Sequence, residues 1–197
     1  MISRRSFLAG TAAGGLLAWR PGLARAEPVM TDDGYYTETW FLESFLELAD
    51  DLAAAAEKGK RFAIIWALRG CPYCKETHLV NFAKPEIAGF IQQRFEILQL
   101  NIVGSREVTD FDGEKLSEKR FAQKYGVRYT PTVQFFAERA AALKEKPPRQ
   151  REVARFQGYV QPREFLAAFR FVAERGYERG SLDDIVKTKN PASSVNQ

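Results

Sequence analysis

The chain is predicted to be an α/β protein in which helices flank a central mixed sheet. Three observations carry that prediction. Phe62 to Leu68 is an unbroken apolar run between Lys60-Arg61 and Arg69-Gly70, as a strand covered on both faces requires. Helical and strand periodicities then alternate to about residue 175. The only two cysteines, Cys71 and Cys74, stand where the apolar run gives way to a helix.

Composition allows one ordinary domain, because 197 residues with 45% apolar and 27% charged positions can bury a full core. The formal charge is +4. Arg4, Arg5, Arg20 and Arg25 all fall in the first 26 residues, which carry no acidic side chain; removing them from 29 basic residues leaves 25 against 25 acidic ones. The remainder is neutral and gives no reason to expect nucleic acid as a partner.

Ser3-Arg4-Arg5-Ser6-Phe7-Leu8, followed by a weakly apolar stretch to Ala18, has the pattern of a twin-arginine export signal. Ala24-Arg25-Ala26 supplies a small-x-small cleavage site. A membrane anchor needs about 20 apolar residues, and the run from Phe7 to Trp19 is shorter and glycine-rich. Residues 1–26 are therefore expected to be a cleaved leader, and the mature chain to reside in the oxidising periplasm.

After an irregular opening segment over residues 27–38, Trp40, Phe41, Phe45, Leu48, Leu52 and Ala56 recur at helical spacing, predicting an amphipathic helix from Thr39 to about Lys58 with Gly59 as its stop. The apolar strand follows. Pro72 suits the first turn of the next helix, which runs to about Phe82, with residues 86–94 as its extension or a second piece. Phe95 to Ile102 alternates as a strand, and Gly104 to Gly113 reads as a polar loop. Ser117 caps a helix that Gly126 ends.

Thr132 to Phe136 and Arg151 to Gln157 form an antiparallel hairpin with a long connection. Its basic, Pro-rich part, Leu143 to Arg149, reads as a solvated insertion, with a docking surface as the sharper alternative. Gln161 to Glu164 open a last major helix carrying Phe165, Leu166, Phe169 and Val172, closed by Gly176. The domain is thus placed at residues 39–175. Residues 176–197 form a C-terminal segment with one short helix near Ser181 to Val186 and a mobile end.

The chemistry is read at Cys71-Pro72-Tyr73-Cys74. Joining cysteines three apart removes little unfolded-state entropy, so a structural staple explains the pair poorly and a labile redox disulfide explains it well. Cys71, at the helix N-terminus where unpaired N–H groups favour a thiolate, is the expected nucleophile. Its sulfur attacks a partner disulfide, and Cys74 then displaces the partner from the mixed disulfide, leaving the Cys71–Cys74 disulfide and a reduced partner. The reverse direction, that of a disulfide-forming oxidase, is equally allowed. The redox-active disulfide is the whole redox group, so no cofactor is expected.

His78, four residues after Cys74, permits a rival: a copper or zinc carrier using Cys71, Cys74 and His78. A tetrahedral structural zinc site usually takes four ligands, and the chain has no third cysteine or second histidine. Lys75 occupies the place that covalent haem attachment reserves for histidine. No metal site is assigned.

The order of elements, together with the dithiol and Tyr129-Thr130-Pro131-Thr132, resembles the thioredoxin superfamily. The resemblance implies a cis Thr130–Pro131 bond facing the dithiol. Thr130 would offer its backbone to an extended substrate segment, Pro131 would shape that groove, and Pro72 and Tyr73 would border it. Ile65 stands where thioredoxins place a buried acid near the resolving cysteine. The chain is most similar overall to exported thioredoxin-like proteins of the SoxW type, through Phe62-Ala63-Ile64-Ile65, Arg69 to Cys74, Tyr125 to Thr132 and Gly158-Tyr159-Val160. That resemblance implies a periplasmic thiol-disulfide oxidoreductase reducing disulfides of exported partner proteins, in a thiosulfate-oxidation system, fed by a membrane thiol-electron donor. A monomer is expected.

Overall fold

The computed structural model describes residues 28–136 and 139–186. The leader residues 1–26 and the C-terminal residues 187–197 lie outside them. Two short strands come first, β1 (Val29–Met30) and β2 (Tyr36–Thr37), followed by α1 (Leu48–Glu57), β3 (Arg61–Ala67) and α2 (Pro72–Glu76). The α2 helix widens into a π-helical turn, Thr77–Phe82. Next are α3 (Pro85–Arg94), β4 (Phe95–Asn101), β5 (Glu107–Thr109), β6 (Lys115–Ser117) and α4 (Glu118–Lys124). The chain continues through β7 (Thr132–Phe136), α5 (Pro148–Arg151), β8 (Glu152–Gln157) and α6 (Pro162–Ala173).

The main sheet has the order β4-β3-β7-β8. β3 pairs parallel with β4 and antiparallel with β7, which pairs antiparallel with β8. All seven residues of β3 are buried, as its unbroken apolar run demands. Its side chains alternate between two cores: Ala63 and Ile65 join Ile87, Ile91, Phe165 and Phe169, while Phe62, Ile64 and Trp66 join Leu48, Leu52, Phe121 and Tyr125. The mixed sheet flanked by helices is the predicted thioredoxin fold. No helix among the described residues is long and apolar enough to cross a membrane.

Several elements differ from their sequence-based prediction. The segment predicted to be irregular before Thr39 holds the β1–β2 ribbon, whose two-residue strands are too short to show an alternation. Gly34 closes it at φ 78°, and a Cβ there would lie 3.0 Å from Arg69 Nε. The helix predicted from Thr39 begins only at Leu48. Leu46 takes φ 65°, which a residue with a Cβ adopts at a cost, and Ser44 Oγ accepts from Leu46 N–H at 2.7 Å while donating to Asp51. These local bonds replace the helical ones. Phe45, assigned to the apolar face, is therefore 99% exposed, whereas Phe41 reaches the core.

The polar loop predicted over Gly104 to Gly113 contains β5, which pairs with β6. Beyond residue 175, Leu182 and Val186 are buried in the core cluster of α6, so core packing extends past the predicted domain boundary. The turn after α6 is made by Arg175 at φ 55°. Gly176 serves packing instead, since a Cβ there would lie 2.2 Å from the Phe171 ring.

The basic connection between β7 and β8 is not simply solvated, for Leu143 is fully buried and Arg151 is 3% exposed. Arg151 Nη1 binds Asp110 Oδ2 at 2.8 Å and its Nη2 binds Asp112 Oδ2 at 2.7 Å. Asp110 Oδ1 also accepts from the Tyr125 hydroxyl at 2.7 Å. Burial alone pushes the Asp112 carboxyl up, but hydrogen bonds from Lys124 and Arg151 outweigh it and hold the group well below the usual carboxylate range.

Lys124 Nζ also pairs with Asp110 Oδ2, at 2.5 Å, so replacing Arg151 with alanine removes one of the two cations that face this buried carboxylate. The variant is expected to lose about 1–3 kcal/mol in urea unfolding at neutral pH; a loss below about 0.5 kcal/mol, the value of an exposed pair, would contradict the role given to the cluster. Because Asp112 is depressed in the folded state, its stabilising contribution is complete above about pH 4 and disappears as pH falls toward the folded value. Acid unfolding of wild type should therefore steepen below that pH.

Candidate active site

β3 delivers the chain to the dithiol from the sheet's buried centre. Cys71 N–H donates to Leu68 O at 3.2 Å and Cys71 O accepts from Lys75 N–H at 3.1 Å, so the residue ends the strand and starts the helix. Cys71 is the N-cap of α2 in an extended conformation, with Pro72 in the first turn. Its Sγ accepts the Cys74 N–H at 3.1 Å. The cap oxygen of an ordinary helix is here a sulfur, and a thiolate at this place is favoured by the same donor and by the helix dipole.

Cys71 and Cys74 form a disulfide with Cα atoms 5.3 Å apart. Cys71 is partly exposed, whereas Cys74 is 5% exposed. That asymmetry leaves Cys71 the more accessible of the two sulfurs.

The loop before β7 faces this disulfide. The Thr130–Pro131 bond is cis, as predicted. The Thr130 hydroxyl donates to Cys71 Sγ at 3.3 Å, and Thr130 O lies 3.5 Å from that sulfur. Pro131 is buried and its carbonyl accepts from Gly158 N–H at 2.7 Å. Pro72, Tyr73 and Tyr129 are exposed around the sulfurs. Tyr73 stacks on Tyr159 with ring centroids 6.4 Å apart. Burial, and secondarily the Glu76 charge, push the Tyr159 hydroxyl up, and that hydroxyl donates to Asn81 Oδ1 at 3.3 Å.

Other predicted residues fall elsewhere. Trp66 is fully buried and its indole N–H donates to Gln134 Oε1. Arg69 donates from Nε to Asp33 O at 2.7 Å, fastening the N-terminal ribbon beside the site. Between that ribbon and the dithiol lies a cavity of about 360 Å³ lined by Met30, Tyr36, Cys71 and Cys74 among others. His78 is 1% exposed, with Nδ1 2.8 Å from Glu38 Oε1 and Nε2 3.4 Å from Gln99 Nε2. Both ring nitrogens face protein groups, and among the described residues no three His, Cys, Asp or Glu side chains gather as a metal site. No motif marks Glu38, Asn81, Gln99 or Tyr159: Asn81 and Gln99 are single polar residues within apolar runs, and Glu38 stands between two threonines.

The model of the thioredoxin-like domain matches residues 48–173. The chain belongs to the thioredoxin-like domain family. Similar solved structures include a thioredoxin-fold protein from Helicobacter pylori, 21% identical over 69% of this chain and 89% of its own, with TM-score 0.49. A thioredoxin from Thermus thermophilus is 22% identical, covering 66% of this chain and 86% of its own at TM-score 0.49. The oxidised C-terminal domain of Neisseria meningitidis DsbD is 14% identical, covering 66% and 97% at TM-score 0.41. No curated protein matches. A thioredoxin-like domain with a CXXC disulfide at its helix start is equipped for thiol-disulfide oxidoreductase chemistry.

Thr130→Val removes the hydroxyl donor while keeping the side chain's shape. Alkylation of reduced Cys71 by iodoacetamide at pH 7 is expected to slow about three- to tenfold, a discounted share of the value of a hydrogen bond to a charged acceptor. An unchanged rate would show that the hydroxyl does not favour the thiolate.

Proposed function

We propose that this thioredoxin-like domain is a periplasmic thiol-disulfide oxidoreductase that reduces disulfides of exported partner proteins. The observation that carries the proposal is the asymmetric dithiol: a reachable Cys71 sulfur capped by the Cys74 N–H, above a Cys74 that is 5% exposed. Cys71 thiolate attacks one sulfur of the partner disulfide, and the partner's other sulfur leaves with a proton. Cys74, losing its own proton, attacks Cys71 Sγ; the partner's second thiol is released and the intramolecular disulfide forms. Both partner sulfurs gain the electrons that the two cysteines lose.

Thr130 and the exposed rings of Tyr73 and Tyr129 flank the reacting sulfur, which suits an extended polypeptide laid across the groove. Export rests on the twin-arginine pattern and the Ala24-Arg25-Ala26 site. The reductive direction and the thiosulfate-oxidation setting rest on the likeness to SoxW-type proteins. An oxidising compartment requires a donor to restore the dithiol, and a membrane thiol-electron carrier meets that need. The unit is a monomer in this proposal.

Cys74→Ser should arrest the reaction at the mixed disulfide and capture exported proteins on Cys71 in bonds that dithiothreitol cleaves. Cys71→Ser should capture none, and equal capture by both variants would contradict the assigned roles. Redox titration decides direction: a midpoint near about −270 mV supports a reductase, whereas one near about −120 mV reverses the flow to disulfide formation.

A further inference from the structure

The reacting sulfur is approached from two sides. From the loop before β7, the Thr130 hydroxyl reaches Cys71 Sγ at 3.3 Å. The other approach is the cavity of about 360 Å³ beneath the N-terminal ribbon, which both cysteines line and to which Tyr129, Thr130 and Pro131 do not contribute. Its volume falls at the lower end of the range for ligand pockets, about 300–1,000 Å³. The match to the thioredoxin-like domain begins at residue 48, whereas the ribbon strands β1 and β2 lie at Val29–Met30 and Tyr36–Thr37. The shared domain thus supplies the sulfurs, and a segment outside it supplies the facing wall.

That wall is held in place from several directions. Gly34 N–H closes the ribbon turn on Thr31 O at 2.9 Å, Arg69 Nε binds Asp33 O at 2.7 Å, and Gln99 Nε2 donates to Tyr36 O at 2.8 Å. The Tyr36 ring stacks on the buried His78 with centroids 6.4 Å apart. A surface fixed in this way needs little ordering when a ligand arrives. Met30, 51% exposed, is the adaptable part, because an unbranched thioether fits side chains of different shape.

The lining defines the occupant. Met30, Leu68 and Pro72 carry no side-chain donor, and Lys75 is the only charged residue among the described residues that line the cavity. A polar guest would lose water there with little in return, whereas an apolar guest gains by leaving water. Gly70 also lines the cavity, and a Cβ built on it would meet nothing within 4 Å, so the backbone leaves room beside the sulfurs. Continuity with Cys71 then identifies the source. A polypeptide joined to Cys71 Sγ carries the neighbours of its own cysteine only about 3.8 Å away along the chain, Cα to Cα, which brings one of them to the cavity.

We infer that the cavity between the ribbon and the dithiol is a specificity pocket for an apolar side chain adjacent to the partner's reacting cysteine. The inference rests on the exchange function proposed above and names its substrate class: polypeptide disulfides whose cysteine is flanked by aliphatic residues. Met30 and Tyr36 exchange no proton or electron with the partner. They hold its chain so that its sulfur meets Cys71 Sγ.

The test uses the reduced full-length chain and two symmetrical peptide disulfides, those of acetyl-Leu-Cys-Leu amide and acetyl-Asn-Cys-Asn amide, whose flanking side chains are alike in shape and differ in polarity. The rate is the loss of protein thiols, counted by mass after acid quench and alkylation. Wild type should react about tenfold faster with the Leu-flanked disulfide. Met30→Asn makes the wall polar without adding charge, and should cut that preference to about threefold or less while leaving the Asn-flanked rate unchanged. The Asn-flanked rate also reports that the variant is folded and its dithiol intact; Met30→Ser repeats the test should that rate fall. Equal wild-type rates on the two peptides, or a preference that survives both substitutions, overturns the inference. Wild type reacting with neither peptide would instead overturn the exchange function on which the inference rests.

Discussion

The hydrogen bond from Cys74 N–H to Cys71 Sγ, 3.1 Å long, is the contact around which the molecule is organised. It makes a sulfur the cap of a helix, so the first unsatisfied donors of α2 and the dipole of that helix act on one reactive atom. The cap holds its place because β3, buried over its whole length between two cores, cannot shift. Thr130 then approaches the same sulfur from the loop before β7. A rigid strand, a helix start and a loop thus converge on Cys71, while the inward face of the helix takes Cys74 out of solvent.

Polar groups buried behind this arrangement are coupled to it. The π-helical turn over Thr77–Phe82 keeps His78 and Asn81 facing inward, an irregularity of a kind that recurs at functional sites. Asn81 ties the helix to Val160 and Tyr159, and His78 ties it to Glu38 and the N-terminal ribbon. Arg69, bonded to that ribbon, closes the dithiol's flank. The ribbon is consequently part of the site's architecture and not a mere lead-in to the domain.

Much of the fold was legible because its signals are local. Seven consecutive apolar residues are enough to mark β3, Ser117 and Gly126 bracket α4, and Phe165, Phe169 and Val172 mark the buried face of α6. The dithiol and the Xaa-Pro loop were legible because their chemistry requires particular residues at particular spacing. What escaped depends on tertiary context. Leu46 at positive φ breaks an otherwise convincing helical pattern, and two-residue strands have no readable period. Arg151 reads as the polar start of a strand until Asp110 and Asp112 converge on it across 41 and 39 residues. Glu38 and His78 are 40 residues apart, and nothing in either neighbourhood marks them as a pair.

The claim that the fold activates one sulfur and shelters the other is open to a single direct measurement. Reduced protein is alkylated with iodoacetamide at pH 7, folded and then in denaturant, and the modified cysteines are located by peptide mass. Cys71 is predicted to react faster in the folded protein than in the unfolded chain, with Cys74 protected until the structure is lost. Equal labelling of the two cysteines in the folded state, or a Cys71 that reacts no faster than in denaturant, would contradict it.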